Sequence, residues 1–131
     1  MRQVTAAVIV ENGRLLLTRR GPGGTLPGCW ELPGGKVEPG ESLQECLTRE
    51  LQEELAMEAN IAGVVATTTY RYDHGAFEMY ALETTRCSDF TLHVHDMFLW
   101  ATSDEIIDLE LAPADIELIG QLGASDCWPR P

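Results

Sequence analysis

The sequence predicts an α/β domain, a mixed β-sheet with helices packed on it. Three observations lead there. Short runs rich in Val, Thr, Tyr and Phe recur along the chain, the composition of half-buried strands. One segment switches to an apolar repeat of four, Leu43, Leu47, Leu51 and Leu55, which is the stripe of an amphipathic helix. The 131 residues, 44% hydrophobic and 23% charged, suit one compact domain spanning 1–131 with its own core.

The elements follow in order. Val4 to Val10 reads as the first strand, Asn12-Gly13 as a hairpin turn, and Leu15 to Thr18 as the return strand. Gly21 to Gly28 is a Gly- and Pro-rich loop. Trp30 to Leu32 is a short strand stopped by Pro33-Gly34-Gly35. Ser42-Leu43-Gln44-Glu45 fits a capping box, opening a helix that should reach Leu55–Glu58. Val64 to Tyr72, Phe77 to Glu83 and Met97 to Ala101 read as strands. Ser103 is a suitable N-cap for a short acidic helix. Pro113 can start a last helix reaching Leu122, with Gly123 as its stop. Residues 124–131 are expected to be a loose tail.

The net charge of −12 excludes non-specific binding to a nucleic acid polymer, which needs a basic surface. A polyphosphate substrate would also be repelled unless divalent cations bridged carboxylate and phosphate. No apolar run approaches the roughly 20 residues of a membrane span, and Ala6 to Val10 is too short for a signal-peptide core. A cytoplasmic protein, monomer or homodimer, is the expectation. Cys29, Cys46, Cys87 and Cys127 show no C-x-x-C spacing and read as thiols rather than disulfides.

The chemistry sits in the helix. Glu50, Glu53 and Glu54 fall within about 100° of arc at about 3.6 residues per turn. Like charges on one face repel by a few tenths of a kcal/mol per pair, a cost that makes sense if a cation sits among them. Oxygen ligands suit Mg²⁺ or Mn²⁺; the alternative is a solvated acidic face. Gly34-Gly35 can turn the backbone before the helix and offer a carbonyl. Glu41 sits at the helix entrance, and Arg49 can pair with a neighbouring carboxylate.

Gly35, Glu41, Arg49, Glu50, Leu51, Glu53, Glu54 and Met57 stand at the spacing of G-x5-E-x7-R-E-U-x-E-E-x-G-U, where U is aliphatic. The segment 35–57 thus resembles the Nudix box. The likeness to MutT-like members extends to Thr18-Arg19-Arg20, Trp30 to Glu38 and Leu111-Ala112-Pro113-Ala114-Asp115. It implies a Nudix-type α/β/α sandwich and metal-dependent hydrolysis of a nucleoside triphosphate to monophosphate and pyrophosphate. It implies Glu50, Glu53 and Glu54 as metal ligands with the Gly35 carbonyl, and Arg20 and Lys36 as phosphate contacts. Leu32 lies where the family's base rests on a side chain, with Trp30 as another stacking candidate. Asp115 stands at the base-reading position, or else caps the last helix. The resemblance is strongest to CTP and oxidised-nucleotide pyrophosphohydrolases such as those acting on 8-oxo-dGTP.

Two departures stand out. Ala56 replaces the box glycine, so either the helix runs on or Ala takes a left-handed backbone. The further glutamate of MutT-like enzymes falls near Val94, with Asp96 the nearest carboxylate. His93 and His95 share a strand face there, as ordinary exposed histidines or as metal ligands. Two other functions remain open. ADP-ribose or dinucleoside polyphosphate hydrolysis is one, Tyr72 being placed as in the dinucleotide enzymes. A nucleotide-binding module without catalysis is the other.

Overall fold

Two strands carry apolar side chains on both faces, and they organise the molecule. In the computed structural model, which describes residues 1–123, these are β1 (Arg2–Val8) and β3 (Arg14–Arg19). Ala6, Val8, Leu15 and Leu17 enter one core; Ala7, Ile9 and Leu16 enter the other. The first core is closed by Leu118, Ile119 and Leu122 of α3 (Pro113–Gly123), the second by Leu47, Leu51 and Leu55 of α1 (Leu43–Leu55). Strands covered on both faces read as near-continuous apolar runs, hence Val4–Val10, interrupted by Thr5, which is itself buried. The result is the expected α/β/α sandwich.

The strands form two sheets rather than one. In the first, β5 (Gly34–Lys36), β1, β7 (Gly75–Arg86) and β6 (Ala59–Tyr72) lie in that order, with β1 and β7 parallel and the other pairs antiparallel. In the second, β3 pairs antiparallel with β2 (Val10–Glu11), β4 (Trp30–Glu31) and β8 (Met97–Ala101). The expected first strand is therefore divided at Ile9, its end leaving β1 to pair with β3 as β2. Gly34-Gly35, expected as a stop, forms β5 against β1.

The α1 helix begins as expected: Ser42 accepts from Glu45 N and Glu45 returns to Ser42 N. Each of its three fully buried leucines contributes roughly 2 kcal/mol of burial. It ends at Ala56, which takes the left-handed conformation with φ 49° and ψ 38°, so the helix does not run on. The short α2 (Ser103–Ile106) is capped by Thr102, not Ser103. Thr102 lies three residues before Glu105, so it closes a capping box that Ser103 cannot. Residues 124–131, expected as a tail, lie outside the described residues. No helix among the described residues is long and apolar enough to cross a membrane.

Candidate active site

Arg49 is the centre of the carboxylate group. Its Nε and Nη2 donate to the two oxygens of Glu41 at 2.8 and 2.9 Å. Its Nη1 donates to Glu50 at 2.9 Å and Glu53 at 3.3 Å. Nη2 also donates to the Lys36 carbonyl at 3.0 Å, tying α1 to β5. The fork of a guanidinium matches a carboxylate. The Arg49 bond holds the Glu41 carboxyl down at about 2, helped by the backbone amide of Glu38. Burial pushes Glu50 up, against the pull of Arg49. Glu54 is deeper. Burial raises it to about 7; the His95 imidazole opposes that rise, and Glu50 and Glu31 add to it. Its Oε1 accepts from Gly34 N at 3.3 Å.

The two glycines of β5 are required for different reasons. A Cβ on Gly34 would stand 2.1 Å from the Thr5 carbonyl oxygen, against backbone that cannot yield. A Cβ on Gly35 would stand 2.3 Å from the Glu50 carboxyl carbon. The missing side chain at Gly35 is the space in which Glu50 lies. The Gly35 carbonyl accepts from Thr5 Oγ1 at 3.2 Å, with Cys46 Sγ 3.6 Å away.

Among the described residues no three His, Cys, Asp or Glu side chains converge closely enough to hold a metal as they stand. Glu50 and Glu53 are both drawn to Arg49, and Glu54 to Gly34 N. The donor set nevertheless fits a hard divalent cation: carboxylates one helical turn apart, beside a cradle that a Cβ would fill.

The acidic end opens into a cleft of about 1150 Å³. Glu54, Gly35 and Lys36 line one part of it; Leu32, Ala114 and Asp115 line another. Tyr70, Phe77 and Tyr72 form an apolar wall, with ring centroids 5.5 and 6.1 Å apart. The cleft also carries Arg2, Arg20 and Lys36, a concentration of cations in a chain of net charge −12.

Asp115 is placed by backbone pairing. Trp30 N donates to Glu110 O, and Ala112 N to Trp30 O, both at 2.8 Å; this fastens the start of α3 along β4. Asp115, only 3% exposed, then directs its Oδ1 to Leu32 N at 3.4 Å. It ties α3 to the end of β4 rather than capping its own helix. Burial raises its carboxyl to about 7, Glu31 adds to the rise, and Leu32 N and Arg20 oppose it.

Glu31 stands in the same cleft with both oxygens engaged. Oε1 accepts from Arg20 Nε at 2.8 Å and forms an ion pair with Nη2 at 2.8 Å; Oε2 lies 2.9 Å from His95 Nε2. His95 is buried, contrary to the expectation of an exposed histidine, while His93 stays exposed, because the segment before β8 bends rather than forming a strand; among the described residues His95 Nδ1 has no hydrogen-bond partner. An unpaired buried polar atom costs about 1–3 kcal/mol. Asp96, the nearest carboxylate to the absent loop glutamate, is committed to Arg19 through bonds of 2.9 and 3.1 Å.

The structure therefore gathers Glu41, Arg49, Glu50, Glu53 and Glu54 at one end, with Gly35 and Lys36 beside them. Arg20, Leu32 and Asp115 line the cleft. Leu32 is 4% exposed and offers little surface for stacking. Trp30 packs into the core edge under the Arg19 guanidinium, 5.7 Å from its ring. The aromatic wall belongs instead to Tyr70, Phe77 and Tyr72. Glu31, Arg2, Tyr70 and Phe77 were not among the expected site residues; His95 was expected as an exposed histidine or a metal ligand, and Tyr72 only for dinucleotide hydrolysis. Alternation in β6 and β7 was the signal for the wall, since residues two apart share a face.

A carboxylate-rich helix beside a cleft with cations and an apolar wall suits a hydrolase of an organic phosphate chain. The comparisons agree. The family model of the NUDIX domain matches residues 1–122. The CTP pyrophosphohydrolase of Escherichia coli (strain K12) is 38% identical over 123 residues, covering 91% of this chain and 89% of that one. A Mycobacterium tuberculosis (strain ATCC 25618 / H37Rv) protein, named provisionally as 8-oxo-dGTP diphosphatase 2, is 35% identical over 130 residues, 91% of this chain and 86% of that one. The solution structure of the E. coli ORF135 protein superposes with a TM-score of 0.85 at 35% identity, covering 95% and 89% of the two chains. The chain belongs to the NUDIX family and is a Nudix hydrolase, a class that works with divalent cations.

Proposed function

We propose that this enzyme hydrolyses a nucleoside triphosphate to the monophosphate and pyrophosphate with Mg²⁺, favouring (d)CTP or an oxidised purine nucleotide such as 8-oxo-dGTP. The observation that carries the reading is a single cleft joining the acidic helix to a buried Asp115 and an aromatic wall. The relatives that cover most of the chain carry names of the same kind. The reading places the enzyme in the cytoplasm, with the nucleotide pool, as a monomer or homodimer.

A bound divalent cation neutralises the phosphate chain and activates water. Glu50, Glu53 and Glu54 would hold it, with the Gly35 carbonyl, which also accepts from Thr5 Oγ1 and Cys46 Sγ, as a further oxygen ligand. Arg49 keeps Glu41 ionised and aligns Glu50 and Glu53. Arg20 and Lys36 bind phosphate oxygens, and the Tyr70–Phe77–Tyr72 wall stacks on the base. Asp115 reads its edge. Raised to about 7, it can accept from an amino group when ionised or donate to a ring nitrogen when protonated.

The test is a Mg²⁺-dependent product assay over CTP, dCTP, 8-oxo-dGTP, the common triphosphates, ADP-ribose and diadenosine polyphosphates. Monophosphate plus pyrophosphate from a triphosphate is the expected result. Cleavage of ADP-ribose or a dinucleotide alone would overturn the substrate, and binding without turnover would overturn catalysis. In the same assay Asp115→Ala is expected to change the ranking of bases more than the maximal rate; an unchanged ranking removes Asp115 from base reading.

A further inference from the structure

The chain His95–Glu31–Arg20–Thr25, buried at His95 and exposed at Thr25, crosses the cleft wall with no hydrogen bond to the carboxylate group among the described residues. It starts in the segment before β8 and ends in the Gly- and Pro-rich loop. His95 Nε2 lies 2.9 Å from Glu31 Oε2, so Nε2 carries the proton that Glu31 accepts. The other Glu31 oxygen accepts from Arg20 Nε and pairs with the Nη2 end of the same guanidinium. Arg20 Nη1 continues to Thr25 Oγ1 at 2.9 Å and Thr25 O at 3.3 Å. Each member thus sets the direction of the next, and the Arg20 guanidinium, held between Glu31 and Thr25, lines the cleft.

The imidazole is expensive to keep. Its side chain is 2% exposed, and Nδ1 is buried without a partner among the described residues. An apolar side chain of similar size would fill the same space and leave no orphaned atom. What only an N–H donor supplies here is the hold on one oxygen of Glu31, which leaves the other for Arg20. We propose that His95 is a positioning residue for substrate phosphate: by fixing Glu31 it aims Arg20 into the cleft. This rests on the reading of Arg20 as a phosphate contact.

The test compares His95→Leu, which fills the space without a donor, with His95→Gln, which returns an N–H near the Nε2 position. For the triphosphate that the substrate assay selects, His95→Leu is expected to raise KM about tenfold with kcat within about twofold. His95→Gln should recover most of the loss. Arg20→Ala with His95→Leu should be no worse in KM than Arg20→Ala alone, because both remove one contact. An unchanged KM in His95→Leu, no recovery in His95→Gln, or independent effects in the double variant would each overturn the proposal. The Arg20 Nε–H resonance, read by NMR without substrate, separates this from a failure of the function. Its slow exchange should survive in His95→Gln and be lost in His95→Leu; an unaltered signal in His95→Leu overturns the positioning role even if no nucleotide is cleaved.

Discussion

Glu41 and Asp115 carry the same chemical group at opposite ends of the site, and the protein treats them oppositely. Glu41 is gripped by both arms of Arg49 and a backbone amide, and its carboxyl is held at about 2. Asp115 is buried with a single long bond from Leu32 N, and its carboxyl is pushed to about 7. A nearby cation outweighs partial burial at the first; desolvation outweighs a weak hydrogen bond at the second. Arg49 thereby keeps Glu41 charged, whereas Glu54, buried deeper at the same end, is raised to about 7. Asp115 is likewise poised between charged and neutral near pH 7, which lets it accept or donate a hydrogen bond.

The largest expected effect breaks the acidic end alone. Glu53→Gln removes one charge from a side chain that is 58% exposed and packs into neither core. Turnover with Mg²⁺ should fall by two to three orders of magnitude, about 3–4 kcal/mol of barrier. The thermal midpoint should move little, because a surface ion pair is worth roughly 0–1 kcal/mol. Wild-type turnover in purified Glu53→Gln would remove this residue from the ligand set.

The next effect lies at the other end and reads its burial directly. An unfolded Asp loses its proton near about 3.9, while folded Asp115 keeps it up to about 7. Between those values the folded chain binds more protons than the unfolded one, so stability contributed at this site falls as pH rises and levels off above about 7. Asp115→Asn can still accept from Leu32 N and has no charge to bury. It should match the wild type near pH 4 and exceed it near pH 7.5 by on the order of 2–4 kcal/mol. Chemical denaturation at the two pH values measures the gap. A gap independent of pH would show that Asp115 ionises as freely folded as unfolded.

The two ends also differ in how far the sequence reveals them. The acidic end is local: one capping box, one leucine stripe and three glutamates on thirteen helical residues set its geometry within a few turns. Everything beyond the helix is assembled by pairings distant in sequence. Gly34-Gly35 looks like a turn until β1 lies beside it, and only the Thr5 carbonyl shows why Gly34 has no side chain. His93-Val94-His95 reads as a strand with both imidazoles on one face, but the segment bends, leaving His93 exposed and His95 buried. Asp115 was reachable through the resemblance at Leu111 to Asp115. Its burial depends on β4 pairing with Leu111, which no local pattern encodes. Glu31 sits next to Trp30 in the recognised segment, yet its role appears only once Arg20 and His95 converge on it.

The smallest effect concerns the hinge between helix and sheet, where this chain departs from the family pattern. Ala56 ends α1 with φ 49°, and its amide donates to Gln52 O at 3.0 Å while Met57 N donates to Leu51 O at 3.2 Å. Those bonds and the burial of Met57, 1% exposed, hold the backbone in a region where a Cβ costs roughly 1–2 kcal/mol. Glycine removes that cost but gives the unfolded chain more freedom, worth about 0.4–1 kcal/mol in the other direction. Ala56→Gly is therefore expected to stabilise the fold by about 0.5–1 kcal/mol, read as a higher denaturation midpoint at unchanged slope. Turnover should stay within about twofold, because Glu50, Glu53 and Glu54 precede the cap and keep their places on the helix. A loss of stability on adding the glycine would mean that contacts of the Ala56 methyl outweigh its backbone strain. A loss of turnover without loss of stability would mean that the rigid alanine cap helps hold Glu54 at the acidic end.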